Sequence, residues 1–236
     1  DFFDEVQDGI GGGGLRFPIL EDPSEVFKLF VGDVATLFTY DAPALSAELA
    51  FNRFFPISGP LGLTLSGSLG FNADFAFGFD TFGVQRFLNE QNASVAVLLD
   101  GFFVSDRENA DGTGDDVAEV SITGSLTAAA SASIAVASLT AGGGLEANID
   151  FNLNDSNGDG RVRASELAAN FLIGPTRIFD ISGALTASLF IETEVGIEIF
   201  GVSFGETFRK DFPFEPLIEF DTIQDAAPEA PAGTPI

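Results

Sequence analysis

Leu61-Gly-Leu-Thr-Leu-Ser-Gly-Ser-Leu-Gly-Phe-Asn-Ala-Asp-Phe-Ala-Phe-Gly-Phe-Asp80 decides the fold class. Leu61, Leu63, Leu65, Gly67, Leu69, Phe71, Ala73, Phe75, Phe77 and Phe79 fall on one side of an extended chain, and Gly62, Thr64, Ser66, Ser68, Gly70, Asn72, Asp74, Ala76, Gly78 and Asp80 on the other. A period of two is the mark of a strand with one buried face. The nineteen residues from Leu61 to Phe79 would span roughly 60 Å, well beyond the usual strand of about 3 to 10 residues. Either the sheet is exceptionally long or the strand bends at Gly67 or Gly70. The pattern further predicts that Phe71, Phe75 and Phe77 are buried and that Asn72 and Asp74 are more exposed.

The same alternation returns at Ile122 to Val136, with Ala128, Ala130 and Ala132 on the apolar side, and at Ile181 to Ile199. Val34 to Tyr40, Leu45 to Phe51 and Leu145 to Asn154 read as further strands, and Val95 to Val104 as a strand broken at Asp100-Gly101. The expected fold is all-β, a long-stranded antiparallel sandwich or barrel in which Phe-rich and Ala-rich faces oppose each other across one core. One or two short helices interrupt it. Asp22 as N-cap, Pro23 at N1, Glu25 at N3 and Gly32 as a stop delimit the first, whose aromatic face is expected to plug one end of the core. Gly83 to Leu88 suggests a helical turn. Residues 1–14, ending in four glycines, read as a flexible lead, residues 15–222 as a single β domain, and residues 223–236 as a Pro/Ala linker.

Inserted in that domain is Asp155-Ser-Asn-Gly-Asp-Gly-Arg-Val-Arg-Ala-Ser-Glu166. A calcium loop of the EF-hand type needs side-chain oxygens at positions 1, 3 and 5, a glycine at 6, a main-chain carbonyl at 7 and a bidentate acid at 12. Asp155, Asn157, Asp159, Gly160, Arg161 and Glu166 stand at those positions. Arg163 at position 9 would act through a water. A metal-free polar turn would use the same Asp, Asn and Gly, but has no need of a glutamate six residues after the glycine. A strand precedes the loop and a short helix over Ser165 to Leu172 follows it. The loop therefore resembles those of EF-hands and dockerins, without their helix–loop–helix frame and without a second copy.

A second acidic stretch, Asp106, Glu108, Asn109, Asp111, Asp115 and Asp116, follows no standard spacing. It is either a solvated loop or a second calcium site built from Asp106, Asn109, Asp111, Asp115 and Asp116, since close carboxylates repel until something neutralises them.

Composition narrows the function. With 36 acids against 10 bases the chain carries a net charge of −26, which excludes electrostatic binding to nucleic acid or anionic lipid and favours cations. It has no Cys and no His, so disulfides, thiolate sites, the Ser–His triad and most transition-metal sites are absent. No run of 18 apolar residues occurs, so no transmembrane helix is expected. The lack of Met is expected of a processed product or a piece of a longer chain. Hydrolysis through a carboxylate pair is the enzymatic alternative, but with no Trp and one Tyr the chain lacks most aromatic platforms for sugars. Long alternating strands also suggest an outer-membrane barrel as a lesser alternative, its Phe facing lipid, although such barrels carry girdles of Trp and Tyr and this chain has one such residue, Tyr40.

Phe75-Ala-Phe-Gly-Phe-Asp-Thr-Phe-Gly83, Asp100-Gly-Phe-Phe-Val-Ser-Asp106 and the run from Ile149 to Arg163 resemble modules of very large secreted bacterial proteins, some of which carry RTX-type calcium repeats. The resemblance implies an extracellular, structural or adhesive role without catalysis. The expected function is a calcium-stabilised structural module at a bacterial surface or matrix, its partners being copies of itself or neighbouring modules. A β-barrel or sandwich that binds an apolar ligand such as a lipid is the alternative. Long strands without Lys or Pro, and small residues along the polar side of Leu61 to Phe79, suggest that another sheet or chain approaches there.

Overall fold

In the computed structural model, residues 14–222 are described apart from Asn92, Ala135, Phe200 and Gly201; the expected lead and linker otherwise lie outside the described residues. The chain is mostly β, in two antiparallel sheets with few short helices and no closed barrel. The smaller sheet joins β1 (Leu15–Arg16), β2 (Thr36–Asp41), β5 (Ala76–Asp80), β6 (Phe102–Ser105) and β9 (Arg161–Arg163) in that order. The larger sheet is a meander in the order β11 (Val202–Pro213), β10 (Phe179–Ile199), β8 (Ala137–Leu153), β7 (Val120–Ile134), β4 (Leu61–Ala73) and β3 (Leu45–Ser58), with β12 (Ile218–Asp221) also paired to β10.

The long alternation does break, but not at Gly67 or Gly70. Leu61 to Ala73 is one unbroken strand, and the chain leaves the large sheet at Asp74-Phe75 to enter the small one as β5. Its neighbour makes the same transition at Ala42–Ala44, between β2 and β3. At the break the Ala42 amide donates to the Phe75 carbonyl (3.1 Å) and the Asp74 amide to the Glu119 carbonyl (2.8 Å), so the backbone groups stay satisfied while the strands change sheet. The chain thus passes back and forth between the two sheets, and strands of one run on into strands of the other.

This changes where the apolar faces go. Leu65 pairs with Ala128, Ala128 with Gly143 and Gly143 with Leu189. Residues directly opposite in a ladder share a face, so the Leu/Phe-rich and Ala-rich faces lie side by side in one sheet and do not oppose each other. The sandwich expected from the patterning is not closed by this chain. Leu49, Leu69, Phe71, Leu126, Leu145, Leu189 and Ile191 all share that face, and all are exposed. Phe71 is therefore not buried as expected. Asn72 is less exposed than Phe71, the reverse of the expectation, because the face of Phe71 is the uncovered one; at and beyond the break the expectation holds better, with Phe75 and Phe77 half-buried and Asp74 exposed.

The closed core is small and sits where the sheets join. Val104, Leu153 and Val162 are buried, with Phe75, Phe77, Leu167, Ile178 and Phe179 packed around them. Helix α1 (Pro23–Val31) has the predicted ends: Asp22 accepts from the Ser24 amide at 2.8 Å, and Gly32 stops it in the left-handed region at φ 83°. Its aromatic residues are not the plug, since Phe27 and Phe30 are 65% and 83% exposed. The helix is instead fastened by buried Glu25, which accepts from the Thr36 amide at 2.6 Å at the head of β2. Helix α2 (Phe82–Asn89) replaces the expected helical turn. Val95–Gly101 is a 3-10 helix, not a strand, and only Phe102–Ser105 pairs as β6. Among the described residues no helix is long and apolar enough to cross a membrane.

Candidate metal centre

The acidic loop sits between β8 and helix α3 (Ala164–Ile173), the strand–loop–helix order expected of it. Its turns depend on Gly158 and Gly160, at φ 73° and 80°. At Gly160 a Cβ would also stand 2.2 Å from the Gly112 carbonyl oxygen, so the position is closed to a side chain by both conformation and space.

The candidate ligands organise the loop through its own amides. Asp155 Oδ1 accepts from the Gly158 amide (3.0 Å) and Oδ2 from Gly160 (2.6 Å); Asn157 Oδ1 accepts from Asp159 (2.8 Å) and Asp159 Oδ1 from Arg161 (2.9 Å). Glu166 accepts from the Arg163 amide (2.9 Å), and its other oxygen accepts from Asn157 Nδ2 (2.9 Å). Among the described residues no three carboxylates are gathered into a ready cage. Glu166 is brought to the loop's first turn by the Asn157 amide, where a calcium loop would place the ion.

The donor set is oxygen only, which suits a hard divalent cation. The electrostatics show what such an ion would relieve. Burial pushes the Glu166 carboxyl up to about 7, against the pull of the Arg163 amide and with the charges of Asp155 and Asp159 adding to the rise. Burial raises Asp159 as well, opposed in part by Arg163.

Arg161 and Arg163 are more than tolerated bystanders. Both side chains turn from the loop into the small sheet and converge on Asp80, which is fully buried. Arg161 Nη1 donates to Asp80 Oδ2 at 2.7 Å, Arg163 Nη2 to the same oxygen at 3.0 Å, and Arg163 Nη1 to Oδ1 at 3.1 Å. The guanidiniums stack on rings, Arg161 4.6 Å from Phe103 and Arg163 4.0 Å from Phe82. Gly78 leaves room for this layer, because a Cβ there would lie 2.2 Å from the buried Phe103 ring. The main-chain ladder continues the attachment, with Val162 paired to Val104 and Arg161 to Ser105. Sequence reading missed Asp80, which it placed on the outer face; two arginines inside an acidic loop, in a chain with only 10 basic residues, were the available signal.

The second acidic stretch is a small hairpin. Arg107 bridges to Asp116, the Glu108 amide donates to the Asp115 carbonyl, and the Asn109 amide to the Thr113 carbonyl. Asp111 is turned into the hairpin, accepting from the Thr113 amide and hydroxyl, and the Asn109 side chain donates to the same hydroxyl. Asp115 is exposed. Asp106 and Asp116 face elsewhere, toward Glu119 and Asn152 at the end of the large sheet: Asn152 Nδ2 donates to Asp116 Oδ1 at 2.6 Å, and the charges of Glu119 and Asp116 both act on Asp106. The chain matches no protein-family model, no curated protein and no solved structure.

Proposed function

We propose that this chain is a calcium-stabilised structural module of a large extracellular surface or matrix protein, in which the small sheet carries the cation and the large sheet is the assembly surface. The observation that carries this reading is the uncovered apolar face of six neighbouring strands. On that face β4, β7, β8 and β10 bear no charged residue, while Glu146, Asp150, Glu192 and Glu194 lie on the opposite face.

Six strands about 4.8 Å apart and about 13 residues long cover roughly 1,200 Å², against about 800 Å² per partner in a stable interface. The occupant that fits is the same face of a second copy, giving between two chains the sandwich that one chain leaves open. Such stacking turns the carboxylates of β8 and β10 outward and leaves charges on the stacked face only at its two outer strands, Arg53 of β3 and Glu206 and Lys210 of β11, so the charge of −26 does not oppose it at the centre. Association along strand edges is less suited. The outermost strands carry Arg53 and Pro56 in β3 and Arg209, Lys210 and Pro213 in β11, residues that blunt an edge. The calcium loop supports an extracellular setting, where the ion is abundant.

A second reading rests on the middle of the same face. Ala128 and Ala130 of β7 and Ala141 and Gly143 of β8 form a short strip of small residues, bounded by the Leu126–Leu145 pair and flanked by Leu65 and Leu189. An apolar chain such as a lipid would lie in that strip. Sedimentation of the purified protein tests both readings: a dimer or larger species that Leu69→Glu with Leu145→Glu converts to monomer supports sheet stacking. A monomer in calcium at concentrations well above micromolar, with no lipid in its native mass spectrum, refutes both.

A further inference from the structure

We propose that the corner where the two sheets meet binds a second divalent cation of the calcium class, held by the carboxylates of Asp106 and Glu119 and the amide oxygen of Asn152.

The corner is assembled from three segments. Asp106 directly follows β6 of the small sheet. Glu119 directly precedes β7, and the register that pairs Val120 with Phe151 places it opposite Asn152 on the polar face of the large sheet. Asp106 and Glu119 are 2% and 3% exposed. Even so, Asp106 Oδ1, Glu119 Oε1 and Asn152 Oδ1 are buried without a hydrogen-bond partner. An ionised carboxylate only accepts, and each buried acceptor left unsatisfied costs about 1–3 kcal/mol. Three such acceptors from three segments in one corner are what a cation would satisfy together.

The remaining contacts hold these oxygens in place instead of consuming them. Glu119 spends its other oxygen on the Leu153 amide at 2.6 Å, and its carbonyl on the Asp74 amide at 2.8 Å, which anchors it to both neighbouring strands. Asn152 uses its amide nitrogen on Asp116 Oδ1, leaving its oxygen free for a metal. The charge balance points the same way. Burial pushes Asp106 up to about 8, with Glu119, Asp116 and Asp155 adding to the rise and Arg107 opposing it, and burial pushes Glu119 up to about 7.

Carboxylate and amide oxygens select a hard ion. Calcium accepts irregular sets of 6 to 8 oxygens at about 2.3–2.6 Å, completed by main chain and water, where magnesium demands a near-ideal octahedron. The Asp106 amide donates to the Gly160 carbonyl of the acidic loop at 3.1 Å, so the two cation positions are neighbours. An ion in the corner would tie the small sheet to the large one.

The experiment is a calcium count on the full chain, by native mass spectrometry and by calorimetric titration with CaCl2 after chelation. The wild type should bind two ions. Asp106→Asn and Glu119→Gln should each bind one, with affinity at the affected site at least tenfold weaker, and so should Glu166→Gln. A single ion abolished by Glu166→Gln, with Asp106→Asn unchanged, overturns the corner site. A single ion abolished by Asp106→Asn, with Glu166→Gln unchanged, upholds the corner and removes the loop. Melting gives a second readout: Asp106→Asn should melt higher than wild type in chelator, because a buried repulsion is gone, and should gain less from calcium. Lower melting in chelator with both ions retained overturns the proposal.

Discussion

Asp80→Asn is the sharpest perturbation available in this fold. The carboxylate is fully buried and takes four hydrogen bonds, three from Arg161 and Arg163 and one from the Phe82 amide at 2.9 Å that starts α2. The amide keeps the shape and one acceptor but removes the charge, and it turns an N–H donor toward guanidinium donors. Breaking one side of a buried pair costs about 3–5 kcal/mol because the other charge is stranded. The upper end is not expected, since Arg163 Nη1 keeps the Asp100 carbonyl at 2.8 Å, and Arg161 keeps Thr36 and the Asp111 carbonyl. At about 2–4 °C per kcal/mol for a chain of this size, the melting midpoint should fall by roughly 6–16 °C. Thermal melting followed by circular dichroism, with urea midpoints as a check, measures it. Because both arginines belong to the acidic loop, calcium affinity should weaken in the same variant. A shift below about 2 °C would show that the cluster does not hold the small sheet together, and unchanged calcium affinity would separate the loop from it.

Two other outcomes follow from the same geometry. Gly78→Ala should cost about 1–3 kcal/mol by overpacking, since its methyl would meet the fully buried Phe103 ring; an unshifted urea midpoint would refute the tight layer. In chelator the stability should fall as pH rises. Asp106 and Glu119 have native values raised to about 8 and 7 from 3.8 and 4.5, so the native state binds more protons than the unfolded chain between about pH 4 and 8. Stability is then fullest below about pH 4 as far as these groups are concerned, and their contribution is gone above about pH 8. Saturating calcium should flatten or reverse the slope, and a profile in chelator that rises with pH over this window would contradict the burial of both acids.

Much of this molecule is legible in its sequence, because the relevant forces act over a few residues. A period of two sets which side chains share a face, and the face assignments of Leu61–Ala73 and Ile181–Ile199 survive in β4 and β10. The Asp22 cap, the Gly32 stop and the glycine turns of the acidic loop are likewise local chemistry. Other features were not legible, because alternation says which side is apolar but not what covers it. Whether the Phe-rich and Ala-rich faces would stack or lie abreast depends on strand pairing between residues far apart in sequence. The break at Asp74-Phe75 reflects a change of sheet, not a glycine, and Val95–Gly101 is a 3-10 helix despite its apolar residues. Asp80 looked solvent-facing by period and is buried because Arg161 and Arg163, some eighty residues later, come back to neutralise it. The corner of Asp106, Glu119 and Asn152 has no spacing that a sequence motif could express, since its members meet only where two sheets share an end; the residues supplied the charges, and the tertiary structure decided which of them must face one another without water.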